Sequence, residues 1–225
     1  MKLVLFDIDG TLMLSKGAGR EATVRAMREV FGTEGTVRQM SFGGMTDWSI
    51  LNGALASEGY TPEQVGLRIH DFARAMARHM AEVLPHYEVF ALQGGQELVA
   101  HFKARSDVLV GVVTGNTQLS APVKLRHAGY DPQDFVVGAY GNEAYRRNDL
   151  TPLALERARR YSGVAIAPQD VWVIGDTVMD IECARVIGAN AVAVLTGFED
   201  PQALADAQPD YLLPDLTHFQ ARIPL

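Results

Sequence analysis

Leu3-Val4-Leu5-Phe6-Asp7-Ile8-Asp9-Gly10-Thr11-Leu12 is the stretch on which the fold turns: four apolar residues run without a break into two carboxylates, a glycine and a hydroxyl. A run that is short and wholly apolar predicts a buried strand of a parallel sheet, because such strands are covered on both faces and show no alternation. Charge at its end is out of place in a core, whereas ligands of open α/β sheets gather beyond the carboxyl ends of the strands. Asp7 is therefore expected in that crevice. With one residue between them, Asp7 and Asp9 can face one site where strand gives way to loop, and Gly10 permits the turn. One carboxylate can then attack while its neighbour moves a proton. An ordinary strand-ending turn also favours Asp and Gly, so this stretch alone leaves both readings open.

Two further apolar runs end in the same way. Val108-Leu109-Val110-Gly111-Val112-Val113 leads into Thr114-Gly115-Asn116, and Val171-Trp172-Val173-Ile174 leads into Gly175-Asp176-Thr177-Val178-Met179-Asp180, with Arg146-Arg147-Asn148 between them. Together these segments resemble the four signature motifs of the haloacid dehalogenase-like (HAD) hydrolase superfamily: DxDGT, a Ser or Thr after the second strand, a Lys or Arg, and a GDxxxD loop. Order and spacing fit across nearly the whole chain. The chain resembles phosphoglycolate phosphatase-like members with a C1 helical cap, and the resemblance implies an α/β fold: a Rossmann-like three-layer core with a parallel sheet, plus an inserted all-helical cap.

The hydrophobic periodicity agrees. Over residues 20–85 the apolar positions follow helical spacing, as in Val24, Met27, Val30 and Phe31, then Val65, Ile69, Phe72, Met76, Met80 and Val83. Thr61-Pro62-Glu63-Gln64 supplies a capping box with proline at the first helical position, and Pro85 closes that helix. After Leu92, helices over 95–104, 121–128, 151–161 and 178–187 alternate with strands over 108–113, 135–139, 171–174 and 191–195, the pattern of βα units. The expected division is a catalytic core of 1–15 and 88–225 and a cap of 16–87.

The resemblance also implies roles. Asp7 is the nucleophile position, forming an aspartyl-phosphate that divides one hard step into two. Asp9 would protonate the leaving alcohol and then take a proton from the attacking water; dehalogenases lack this carboxylate because halide leaves without a proton. The Thr114 hydroxyl and the amides of Gly115 and Asn116 would bind the transferring phosphoryl oxygens. A carboxylate and a phosphate repel each other unless a cation lies between them. Asp176, with Asp7 and the backbone carbonyl of Asp9, makes an incomplete oxygen shell suited to Mg²⁺. Asp180 ligates through water, holds the cationic residue, or is simply a favourable charge at a helix N-terminus. The cationic residue itself is usually Lys in the family. Here an RN pair like that of phosphoglycolate phosphatase-like relatives selects Arg147, whose planar fork can clamp phosphate with two hydrogen bonds; Arg146 stays open as the alternative, and Lys124 is the third candidate.

Substrate choice would reside in the cap. Phe42-Gly43-Gly44-Met45-Thr46-Asp47-Trp48 resembles a GxTD cap loop and Gly17-Ala18-Gly19-Arg20 a hinge, which makes Arg20 a candidate anion contact and Thr46 and Asp47 candidate substrate contacts. Thr46 or Asp47 is equally an N-cap for the helix carrying Ile50, Leu51, Ala54 and Leu55, and Trp48 either walls the pocket or packs.

Composition sets the outer bounds. The 225 residues, 48% hydrophobic, suffice for one large or two small domains with a buried core. A net charge of −7 with mixed signs and no basic cluster beyond short Arg pairs excludes a nucleic-acid footprint. No apolar run approaches the ~18 residues of a membrane span and no signal-like segment opens the chain, so a soluble, cytoplasmic protein is expected. Cys183 is the only cysteine and reads as a small core thiol, and no His spacing suggests zinc. The expected activity is Mg²⁺-dependent hydrolysis of a small phosphorylated metabolite, phosphoglycolate-like, through an aspartyl-phosphate; the oligomeric state is not legible. A phosphomutase of the β-phosphoglucomutase type would use the same Asp7 and Asp9. A phosphonate hydrolase needs a cap lysine, and residues 20–85 contain none. A catalytically silent scaffold that binds a partner would not require Asp7, Asp9, Thr114 and Asp176 together.

Overall fold

The structure is a computed structural model that describes every residue of the chain except Pro224. Its strands are β1 (Lys2–Phe6), β2 (Met13–Leu14), β3 (Phe90–Ala91), β4 (Val108–Thr114), β5 (Val137–Tyr140), β6 (Val171–Gly175), β7 (Asn190–Val194) and β8 (Tyr211–Leu213). Its helices are α1 (Ala18–Phe31), α2 (Asp47–Leu55), α3 (Pro62–Val83), α4 (Gly95–Lys103), α5 (Ala121–His127), α6 (Leu150–Ser162), α7 (Val178–Ile187), α8 (Pro201–Asp206) and α9 (Phe219–Arg222). None of these helices is long and apolar enough to cross a membrane.

Six strands form one parallel sheet in the order β5-β4-β1-β6-β7-β8. Strand β1 sits at its centre, Phe6 facing Val112 on one side and Ile174 on the other. The unbroken apolar run of β1 is explained by its two coats. Val4 and Phe6 join a core with Leu98, Phe102 and Leu125 of α4 and α5, while Leu3 and Leu5 join one with Ala154, Ala158, Ile181 and Ala184 of α6 and α7. The result is the three-layer, Rossmann-like α/β core expected from the sequence. Cys183 is fully buried, and burial pushes its thiol up to about 12.

The chain leaves this core at β2 and re-enters at β3, two short strands paired antiparallel through Met13 and Ala91. Between them lie α1, α2 and α3, which gather their own apolar cluster around Met27, Leu51, Leu55, Phe72 and Met76. Thr61 and Gln64 make the capping box that starts α3, and Pro85 sits in the 3-10 turn that follows its last residue, Val83.

Several elements depart from the sequence expectation. The strand expected over 135–139 begins only at Val137: a 3-10 turn fills Pro132–Asp134, and Phe135 instead turns its ring edge-on to Phe6 at 6.5 Å. Strand β7 starts one residue earlier and ends one earlier than the 191–195 expected. β2, β3, β8, α8 and α9 carry no periodicity signal because each is six residues or fewer.

Candidate active site

The carboxyl ends of β1, β4 and β6 open into a cavity of about 420 Å³, walled by Asp7, Asp9, Thr114, Lys124, Arg147 and Asp176 of the core and covered by residues of α1, α2 and the loop before α2. Asp7 continues β1 by donating its amide to Ile174 at 2.9 Å, which fixes its backbone against β6. Gly10 turns the chain with φ of 82°; a Cβ there would stand 2.3 Å from the Asp176 carboxylate, so only glycine serves.

The buried charges centre on Arg147, which lies in a short 3-10 turn before α6 and is 5% exposed. Its Nη2 donates to Asp180 Oδ1 at 2.5 Å and makes an ion pair with Asp7 Oδ1 at 3.0 Å. Asp180 turns its other oxygen back to the start of α7, accepting from the Thr177 amide at 3.1 Å and hydroxyl at 2.6 Å. It therefore both holds the cation and closes a helix N-terminus. Arg146, in contrast, is exposed.

Oxygens of Asp7, Asp176 and Asp180 lie within 4.8 Å of one another, all three residues buried. Burial pushes Asp7 up to about 6; Arg147 opposes the shift, and Asp180 and Asp9 add to it. Burial likewise drives Asp176 well above the usual carboxylate range, with Asp7 and Asp180 pushing the same way. Three carboxylates against one guanidinium leave uncompensated negative charge in a low-dielectric site, and an all-oxygen donor set fits a hard divalent cation. Asp9 contributes no side-chain oxygen to this group. Arg147 Nε is buried without a protein partner, an N–H left for some other acceptor.

Asp9 turns the other way. Lys124 Nζ reaches both its oxygens, at 2.6 and 2.5 Å, and Asn116 Oδ1 at 2.9 Å. Asn116 Nδ2 donates to Asp9 Oδ2 and to Thr114 Oγ1, each at 2.8 Å. The sequence reading of Asn116 used its amide; the side chain is what ties the motif together. The sequence ranks Lys124 only behind the two arginines for the cationic position, yet a signal marks it: Ala121, Lys124 and Leu125 of α5 and its C-cap Ala128 form a buried i, i+3, i+4, i+7 stripe with a lysine inside it.

The remaining expected residues lie where the loop before α2 meets the core. Thr46 caps α2, accepting from the Ser49 amide at 3.1 Å, and donates to the Tyr145 carbonyl at 2.9 Å. The Asp47 carboxylate accepts the Thr117 amide at 2.9 Å, and the Asp47 and Trp48 amides donate to the Gly115 and Gly141 carbonyls. Gly115 has to be bare, since a Cβ would fall 2.0 Å from the Met45 carbonyl. Burial pushes Asp47 up to about 7, against the pull of Lys124 and the Thr117 amide. Arg20 lines the cavity, but its guanidinium donates to the carbonyls of Val37, Arg38 and Met40 and stacks 4.2 Å over the Phe42 ring. Both its terminal nitrogens are engaged in holding the loop. Trp48 packs against Gly66 of α3.

Comparison with known proteins agrees with this geometry. The HAD-hydrolase-like family model matches residues 147–219. The chain is 30% identical over 206 residues to an N-acetylmuramic acid 6-phosphate phosphatase of Pseudomonas aeruginosa, covering 90% of this chain and 85% of the relative. It is 28% identical over 213 residues to a phosphoglycolate phosphatase of Synechococcus elongatus, covering 95% and 92%. A solved hydrolase structure from Pseudomonas syringae shares the fold, with a TM-score of 0.72 at 22% identity over 99% of this chain and 97% of that one. With the four motifs converging on one cavity and these relatives spanning nearly its full length, the chain belongs to the haloacid dehalogenase-like hydrolase superfamily, in its phosphatase branch.

Proposed function

We propose that the protein hydrolyses small phosphomonoesters with Mg²⁺, through an aspartyl-phosphate on Asp7. The observation that carries this is the buried Asp7 at the end of the central strand, paired to Arg147, with Asp9 facing the same cavity. Asp7 attacks phosphorus as the bond to the leaving alcohol breaks, and Asp9 gives that alcohol its proton. Water then attacks the phosphorus, Asp9 takes the proton, and the P–O bond of the acyl phosphate breaks, releasing phosphate and restoring the Asp7 carboxylate. Arg147 and Thr114 steady the phosphoryl oxygens, and the unpartnered Nε of Arg147 is a donor suited to one of them. Asp7, Asp176 and, at its margin, Asp180 would hold Mg²⁺, which when bound neutralises charge between carboxylates and phosphate.

Residues 16–87 act in this scheme as a cap over a core of 1–15 and 88–225, a division supported by the separate apolar cluster of α1 to α3. The substrate is a small phosphorylated metabolite. Phosphoglycolate is the first to test, supported by the name of the Synechococcus relative. The experiment is phosphate release from a panel of phosphomonoesters with and without Mg²⁺, beside Asp7→Asn. Release that needs Mg²⁺ and vanishes in a folded Asp7→Asn protein is expected. Near-wild-type release by that variant, or none from any phosphomonoester, overturns the mechanism.

A further inference from the structure

We propose that Lys124 is a positioning residue for proton transfer: its ammonium holds the Asp9 carboxylate in the plane from which it serves the leaving group. This rests on Asp9 being the proton carrier proposed above.

Three observations converge. Lys124 is 3% exposed, in the buried stripe of α5, and an ammonium in such a place is tolerated only where acceptors meet it. Its contacts supply them: its hydrogen bonds run to Asp9 Oδ1, Asp9 Oδ2 and Asn116 Oδ1, matching the three donors of the group. Asp9, for its part, has little else to fix it. Its side chain is 41% exposed, so packing does not set its torsions, and two contacts do: Lys124 on both oxygens and Asn116 Nδ2 on one.

Asn116 extends the device. Its carbonyl oxygen faces the ammonium and its amide nitrogen faces the carboxylate, and the same nitrogen reaches Thr114 Oγ1. Proton carrier and phosphate-side hydroxyl are thereby held in one frame. The start of α1 lies over the ammonium: a Cβ on Gly19 would come 3.7 Å from Nζ, so Lys124 also stands where the inserted helices meet the core. Arg147 is already committed to Asp7 and Asp180 on the other side of the site, which leaves the two cations with separate tasks.

The test is a leaving-group comparison. Wild type, Lys124→Met, Asp9→Asn and the double variant are assayed in single turnovers that read release of the leaving group from an alkyl and an aryl phosphate, with a melting curve for each protein. Acid-base groups contribute about 10²–10⁴-fold, so Lys124→Met should slow release of the alcohol from the alkyl phosphate by about 10 to 100-fold. The dependence on substrate concentration should change little, as should release of the aryl leaving group, which departs without a proton, because the later hydrolysis of the intermediate is not read in a single turnover. In the Asp9→Asn background the Lys124 effect should disappear, because the group it positions is gone. Lys124→Gln, which keeps a donor nitrogen without the charge, should recover part of the loss; it also serves if the Met variant fails to fold. Equal loss of leaving-group release on both substrates, or losses that add in the double variant, overturn the positioning role while leaving the Asp7 chemistry standing. If Asp9→Asn itself shows no alkyl-over-aryl loss, Asp9 is not the carrier, and the Lys124 role falls with that part of the mechanism.

Discussion

Arg147 is the residue on which the charge balance of the site depends. It is buried between Asp7 and Asp180, and burial would lower its basicity were it not for those two carboxylates, which together raise it. Its neighbour Arg146 is exposed. Removing one partner of a buried ion pair typically costs about 3–5 kcal/mol, because the charges left behind stay buried and unpaired. Arg147→Met should therefore both destabilise the fold by that order and abolish turnover, whereas Arg146→Ala, a surface change, should stay within about 0.5 kcal/mol of wild type. Urea denaturation with a parallel activity assay checks this; the opposite ranking would move the cationic position to Arg146. Asp7, Asp9, Asp176 and Arg147 were legible as candidates because charge at the end of an apolar strand has few structural uses. Arg20 shows the limit of that logic. A lone arginine at a hinge reads as an anion contact, and nothing in sequence could say that backbone carbonyls of the loop from Val37 to Met40 would use its donors.

The N-terminus of α2 is the element that joins the insert to the core. Thr46 caps it, and the Asp47 carboxylate accepts the Thr117 amide from the loop that follows β4. Burial first of all, with a smaller push from Asp9, lifts Asp47 from 3.8 to about 7, while Lys124 and the Thr117 amide pull it back. The sign follows from linkage: a carboxyl whose folded pKa is raised contributes stability that is full below about 4 and is lost as pH rises through about 7. Asp47→Asn keeps an acceptor for the Thr117 amide but carries no charge, so its stability should fall less than that of wild type between pH 5 and pH 8. Denaturation midpoints across that range read the difference directly, and parallel curves would remove Asp47 from the linkage. The helical periods of α1 and α3 and the capping box at Thr61 were visible in sequence because they are local. The meeting of Asp47 with Thr117, 70 residues away, is not, and neither is the pairing of β2 with β3.

For the molecule as a whole, a parallel sheet with its strand ends on one side explains why residues so far apart in sequence act together: β1 brings Asp7 and Asp9, β4 brings Thr114 and Asn116, and β6 brings Asp176. The motif order alone predicted this convergence, since each motif ends an apolar run and such runs lie side by side in α/β cores. What the sequence withheld was how the charges divide, with Arg147 and the acidic cluster around Asp7 and Asp176, and Lys124 and Asn116 around Asp9. That division supports the proposal that one carboxylate attacks and the other transfers the proton. Covalent trapping tests it most directly: wild-type protein is mixed with Mg²⁺ and a phosphomonoester it turns over, acid-quenched within the first turnover, digested and mapped by mass spectrometry. A phosphoryl group on the peptide at Asp7, absent from Asp7→Asn, is the predicted result; a phosphoryl group on any other side chain, or full turnover with no acyl phosphate formed, would contradict it.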